Sequence, residues 1–240
     1  MIIDRKKRYF FVLYIIVVFS ISIQAQEMGS FTDKRDGRLY ETVAYSIQLS
    51  QDSIVHIRWM AENLNYKIED SYCFDDYESN CEIMGRLYNW PAAMNACPDG
   101  WHLPNDEEWY LLANLYKGIS NAGIHLKSNS ELWQRGGQGT NKSLFNVMPY
   151  GNGVKKNGYY GFKINGIFWS SDEKNETHAW DWKLVAGWKK IQRWEGQKET
   201  ILNSVRCVQN GFNKVLKTQR NRFSHCFAIA ILEYSSKYSW

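Results

Sequence analysis

Apolar residues recur at helical spacing in two neighbouring stretches of this chain. Trp90, Ala93, Met94 and Cys97 share one face, because a period of about 3.6 residues brings such positions together. Pro91 fits only in a first turn, so this helix starts at Trp90, and Pro98-Asp99-Gly100 ends it. The second helix opens at Asn105, whose side chain caps it, with Glu108 placed to complete a capping box. Asp106, Glu107 and Glu108 suit the positive end of its dipole. Trp109, Leu112, Ala113 and Tyr116 form its apolar face, and Gly118 is its stop.

Around these helices the pattern is that of short strands. Residues 31–43 read as two strands turning at Asp36-Gly37, and residues 54–59 as a third. Further short strands are expected at 145–150, 159–164, 167–170, 179–184 and 204–208. Segment 117–146 is polar and glycine-bearing, with Gly136-Gly137-Gln138-Gly139 as its flexible point, and reads as irregular. No internal repeat is visible.

The two ends differ from the middle. Arg5, Lys6, Lys7 and Arg8 precede an apolar run over 9–23, and Ala25 offers a small residue for cleavage. This is the pattern of a secretory signal peptide, too short in its apolar part to span a membrane. The alternative is an uncleaved N-terminal anchor. Residues 1–25 are therefore assigned as leader, 26–208 as the folded domain, and 209–240 as an atypical basic extension of uncertain order. The formal charge of +4 misleads about partners. The leader carries a net +3 (Arg5, Lys6, Lys7 and Arg8 against Asp4). The extension carries a net +4 (Lys214, Lys217, Arg220, Arg222 and Lys237 against Glu233). The middle is thus mildly acidic, at −3, and shows no basic stripe of the kind a nucleic acid requires.

Export leads to an oxidising setting, so disulfides are expected among Cys73, Cys81, Cys97, Cys207 and Cys226. Cys73 and Cys81 flank a short polar loop and close it. Cys226 is left over, as a free thiol or an intermolecular bridge. A zinc site fails on spacing, since no Cys-x-x-Cys is present and the histidines are scattered.

Three constellations carry candidate chemistry. Trp180, Asp181, Trp182, Trp188, Arg193 and Trp194 form an aromatic cluster, with Gln192 beside them. Exposed indole faces stack on sugar rings, and the polar groups bond hydroxyls. The competing reading packs Trp180 and Trp182 into the core from one face of a strand. The acidic loop Asp70, Asp75, Asp76, Glu78 and Asn80 offers oxygens for calcium but lacks the spacing of an EF-hand, and a solvated polar loop is the simpler reading, so no metal site is assigned. His102 lies near Glu107 and Glu108 but precedes a helix cap. No catalytic order, phosphate loop or cofactor motif stands out, so no catalytic residue and no cofactor are assigned, and the chain reads as a non-enzyme.

Five segments occur in order: Trp59-Met60-Ala61-Glu62-Asn63-Leu64-Asn65-Tyr66, Gly85-Arg86-Leu87-Tyr88-Asn89-Trp90, Cys97-Pro98-Asp99-Gly100-Trp101-His102-Leu103-Pro104, Phe168-Trp169-Ser170-Ser171 and Ser204-Val205-Arg206-Cys207-Val208. Over roughly 31–208 the chain closely resembles the Fibrobacter succinogenes major paralogous domain family of secreted bacterial proteins. That family looks related to the C-type-lectin-like superfamily, which includes the formylglycine-generating enzymes. The resemblance implies an α+β, C-type-lectin-like domain: two helices packed on a small twisted antiparallel sheet, tied by disulfides. It also implies a Cys97–Cys207 bridge and places the aromatic cluster in a ligand-binding loop region. The function it implies is a secreted or surface-exposed recognition module, with a glycan or protein as partner, no nucleic acid, and no membrane span once the leader is removed. Periplasm, cell surface and extracellular space all fit. The alternatives are a structural envelope component and a degenerate enzyme of the formylglycine-generating kind.

Overall fold

A computed structural model describes residues 24–50 and 53–211. Most of the expected leader, Cys226 and nearly all of the C-terminal extension lie outside the described residues. The strands are β1 (Gln24–Thr32), β2 (Leu39–Ser50), β3 (Ser53–Met60), β4 (Ser71–Tyr72), β5 (Leu87–Tyr88), β6 (Trp101–His102), β7 (Tyr150–Val154), β8 (Gly158–Phe162), β9 (Asn165–Glu173), β10 (His178–Val185), β11 (Ile191–Gln197), β12 (Ile201–Ser204) and β13 (Val208–Gln209). The helices are α1 (Glu78–Met84), α2 (Trp90–Ala96), α3 (Asp106–Asn114) and α4 (Ile119–Leu126). One sheet has five strands in the order β1-β2-β3-β13-β6. The other has eight, along β11-β10-β9-β7-β12-β5-β4 with β8 paired to β7.

The expected fold class is therefore overturned. The domain is mostly β, with two sheets, and is not two helices on a small sheet in the C-type-lectin-like manner. The helices are short for local reasons. Pro98 forces Cys97 out of the helical region, to φ −65° and ψ 142°. Lys117 at φ 67° and Gly118 at φ 76° turn the chain just beyond α3. The strands, in turn, run longer than their apolar cores suggested.

The local signals fared unevenly. The α3 capping box forms: Asn105 Oδ1 accepts from the Glu108 N–H at 2.9 Å, and Glu108 accepts from the Asn105 N–H at 3.0 Å. Asn89 caps α2 by accepting from the Ala92 N–H at 3.0 Å. On α2, however, Met94 faces solvent, and Ala92 and Ala96 are buried instead. Asp36-Gly37 turns β1 into β2, with Gly37 at φ 76°. The segment expected to be irregular contains α4. Residues 145–149 contribute only an isolated bridge, Lys127 to Val147, so that strand starts at Tyr150. The expected strand over 204–208 divides into β12 and β13.

The eight-stranded sheet is apolar on both faces, which lets adjacent residues of β9 serve two cores. Phe168 joins Trp59, Trp109, Trp133, Phe145 and Trp182 on one side, under α3 and α4. Trp169 joins Tyr40, Tyr88, Trp90, Trp101 and Val205 on the other. Trp109 is the hub of the first cluster, with ring centroids of Trp59, Phe168 and Trp182 at 4.8, 5.6 and 6.0 Å. A Cys97–Cys207 disulfide fastens the end of α2 to the residue before β13, and a Cys73–Cys81 disulfide closes the loop leading into α1.

Candidate functional site

Strand pairing separates the tryptophan cluster. Trp182 lies opposite Phe168 on β9 and Arg193 on β11, on the face that meets α3, and is fully buried. Its indole N–H donates to Asp106 Oδ1 at 2.8 Å. Asp106 also accepts from Arg193, Nε at 2.6 Å, which ties the β10–β11 hairpin to the first turn of α3. Trp182 is thus part of the core and offers no face to a ligand. Trp180 shares its side of the strand but sits at the margin, half-buried, with the Arg193 guanidinium 3.4 Å from its ring centre. Asp181 and Trp194 oppose each other on the other face, Asp181 buried and Trp194 56% exposed. Trp188 is at the hairpin turn, 41% exposed, with Lys190 over its ring at 4.4 Å. The six residues do not form one platform.

Asp181 is perturbed by its surroundings. Burial pushes its carboxyl up to about 7, against the lowering effect of the Asn203 N–H that it accepts at 3.2 Å. Its Oδ1 and the Asn203 Oδ1 have no hydrogen-bond partner.

The acidic loop is likewise divided among separate partners. Asp70 holds Lys155, the Tyr72 hydroxyl and the Asn89 amide. Asp76 accepts from the Tyr159 hydroxyl, and Glu78 from Arg86 and Lys67. Asn80 donates to the Phe74 carbonyl. Cys73, Glu78 and Cys81 do come together, but the two sulfurs are consumed in a disulfide and cannot ligate a metal as thiolates. His102 bridges Glu108 and Asn210, with Nε2 2.9 Å from Glu108 Oε1. Its hydrogen bond to Glu108 raises its pKa above the usual value, against its partial burial. Cys207 is fully buried and bridged.

What the sequence reading missed is a cavity of about 110 Å³ floored by Arg206. Residues from five segments line it: Arg38 before β2; Ala61, Glu62 and Asn63 after β3; Glu82 to Gly85 at the end of α1; Asn146, Met148 and Tyr150 leading into β7; and Arg206 between β12 and β13. Arg206 is buried and held by neutral acceptors only. Nε donates to Asn63 Oδ1 at 3.1 Å, Nη2 to the Asn146 carbonyl at 3.2 Å, and Nη1 to the Phe145 carbonyl. The rings of Phe145 and Phe168 lie 4.5 and 5.3 Å from the guanidinium carbon. Burial pulls its pKa down to about 10, so it stays charged at neutral pH. A guanidinium has five N–H donors, and three are used here, which leaves two without a partner among the described residues.

The other walls are equally defined. Asn63 donates to the Met84 carbonyl at 2.9 Å and to Ser204 Oγ at 3.2 Å, so its amide is fixed. Gly85, at φ 76°, allows the chain to pass close by, because a Cβ there would lie 2.7 Å from the Asn63 Cβ. Arg38 and Glu82 pair at 2.7 Å across the rim. The Tyr150 hydroxyl makes no hydrogen bond within the described residues. Among the described residues Glu62 accepts only from the Glu41 N–H, at 3.2 Å. The cavity thus presents cationic donors, a carboxylate, a phenol hydroxyl and an amide above two methionines. No local periodicity marks such a site. Its only sequence signal is that three of the five recurring segments supply its walls.

A sequence model of the Fibrobacter succinogenes major domain matches residues 53–209. No curated protein matches the chain, and no solved structure does. Among the described residues no helix is long and apolar enough to cross a membrane.

Proposed function

The chain belongs to the Fibrobacter succinogenes major domain family, and we propose that it is an exported, non-catalytic recognition module that holds a hydroxyl-bearing group of a glycan in the Arg206 cavity. The observation that carries this reading is a buried guanidinium, with two donors unbonded among the described residues, in the lining of a cavity that also contains the Glu62 carboxylate and the Tyr150 hydroxyl. Donors and acceptors on opposite walls suit a group that both accepts and donates, such as a pair of sugar hydroxyls or an N-acyl group. At about 110 Å³ the cavity is smaller than the roughly 150 Å³ that accommodates benzene. It therefore takes the edge of one sugar unit, and the rest of the chain lies outside. Arg206 stays charged at neutral pH and Asn63 is fixed by its own hydrogen bonds, so both offer set groups for holding a ligand, which supports binding over catalysis. Export rests on the N-terminal pattern, and two disulfides suit an oxidising compartment. Periplasm, cell surface and medium are equally compatible, and the module needs no cofactor.

A structural envelope role is the second reading, and the burial of Trp182 favours it. A glycan array probed with the full chain and with Tyr150→Phe and Glu62→Gln separates the two. Binding weakened at least about tenfold in both variants, with unchanged melting temperature, supports the cavity, since each change removes about one hydrogen bond. Glycan binding unaffected by either variant removes the cavity from the site. No binding to any array member favours the structural role.

A further inference from the structure

The charges of the domain are segregated, and the fold gathers at one end what the sequence spreads over several segments. Eight lysines and arginines have a carboxylate within ion-pair distance: Arg35, Arg38, Lys67, Arg86, Lys155, Lys174, Arg193 and Lys198. Six exposed ones without an ion pair among the described residues, Lys117, Arg135, Lys142, Lys163, Lys189 and Lys190, lie on segments that hydrogen bonds draw to one end of the molecule. The Ile124 N–H of α4 donates to the Lys189 carbonyl at 3.1 Å, and the Thr140 N–H donates to the Ile124 carbonyl at 2.7 Å. The Gln134 N–H donates to the Lys163 carbonyl at 2.7 Å, and the Gly187 N–H to the Gly137 carbonyl at 3.3 Å. Gly123 permits the tightest of these approaches, since a Cβ there would lie 2.2 Å from the Lys190 carbonyl oxygen. Lys34 and Lys156, also exposed and unpaired, sit in the turns after β1 and β7.

Little opposes this concentration of charge. From Leu115 to Ser171 the only acid is Glu131, and from Trp182 to Trp194 there is none. The His125 imidazole on α4 is held below its ordinary pKa by burial and then by Lys142 and Lys117. One aromatic ring stands out at the same end with a lysine beside it: Trp188, 41% exposed, with Lys190 at 4.4 Å.

We propose that this end, formed by α4, the loop after it and the β10–β11 turn, is a docking face for an acidic polysaccharide. It goes beyond the Arg206 cavity and uses different residues. Unpaired cationic groups supply the attraction to uronate, sulfate or phosphate substituents, and the Trp188 ring supplies a face for a sugar ring between them. The face is spread over several segments, as an extended polymer requires. The oxidising setting implied by two disulfides favours a polysaccharide over a nucleic acid.

The test is retention of the full chain on immobilised polygalacturonate across a salt gradient, with neutral dextran, phosphatidylglycerol vesicles and duplex DNA in parallel. Retention on polygalacturonate that falls as salt rises, and absent on dextran, is expected. Lys142→Glu/Lys189→Glu/Lys190→Glu lowers the affinity at least about tenfold, whereas Lys34→Glu/Lys67→Glu/Lys156→Glu, with the same change in net charge, lowers it less than about twofold. No retention at low salt, or equal loss in the two triple variants, overturns the proposal. Tighter binding to the vesicles or the duplex than to polygalacturonate assigns the face to that partner instead and overturns it equally. Binding of an uncharged array glycan stays unchanged in Lys142→Glu/Lys189→Glu/Lys190→Glu, which separates the outcome from that of the cavity.

Discussion

Replacing Trp182 with phenylalanine tests whether the tryptophan-rich hairpin is core or surface. Trp182 is fully buried, stacked against Trp109 at 6.0 Å and edge-on to Tyr110 at 4.9 Å. Phenylalanine keeps an aromatic ring but removes the indole N–H that Asp106 accepts at 2.8 Å. Losing one hydrogen bond to a buried carboxylate costs about 1.5–3 kcal/mol, and the lower end applies because Arg193 still engages Asp106. The missing ring atoms leave a small void that adds about 1–2 kcal/mol. The total is about 3 kcal/mol, or roughly 6–12 °C in melting temperature for a domain of this size. Trp188→Ala and Trp194→Ala, at exposed positions, should each stay within about 0.5 kcal/mol. Urea unfolding followed by far-ultraviolet circular dichroism measures all three without depending on tryptophan emission, and the slope should not change. A Trp182→Phe cost below about 1 kcal/mol, or a Trp194→Ala cost equal to it, would refute the burial argument.

The disulfides offer a graded test. In the chain-entropy description, opening Cys97–Cys207, with 110 residues between its ends, costs about 5 kcal/mol, and opening Cys73–Cys81, with 8, costs about 2.5. Thermal unfolding of the two double Cys→Ser variants should show that order, and the reverse would contradict it. Asp181 favours its neutral form when folded, so its contribution to stability is present below about pH 4 and declines toward about pH 7. Asp181→Asn should abolish that decline and raise the melting temperature at pH 8 but not at pH 4; an unchanged difference between the two pH values contradicts it. His102 has the opposite charge type and a raised folded pKa, so its stabilisation is complete below about pH 6.5 and fades as pH rises through the folded value. His102→Gln should flatten the stability profile above pH 6.5, and a profile as steep as before would place the titration elsewhere.

Local signals in the sequence were legible wherever a side chain acts on its own backbone. The Asn105–Glu108 box, the helix start at Trp90 set by Pro91 and the Asp36-Gly37 turn each depend on residues within a few positions. The extent of the sheets was not legible, because β11 is an edge strand with polar Gln192, Arg193 and Glu195 among its residues, and β4, β5, β6 and β13 have two residues each. Which tryptophan of the hairpin faces inward also could not be read. That is fixed by the pairing of Trp182 with Phe168, and one step of register exchanges the faces. The Arg206 cavity and the basic end share a cause for their invisibility. Arg206 stands among small and apolar residues of a short strand-like segment, and the partners that bury it are 61 and 143 residues away. The unpaired lysines likewise belong to separate segments that only the fold collects.

The most direct test of the account is nuclear magnetic resonance of the Arg206 Nε–H and the Asn63 side-chain amide during titration with an uncharged glycan that binds on the array. The account predicts saturable shifts of both signals with one dissociation constant, absent or weakened in Tyr150→Phe. Saturable shifts of the Trp188 and Trp194 indole signals, with Arg206 and Asn63 unmoved, would place the glycan on the hairpin and contradict it.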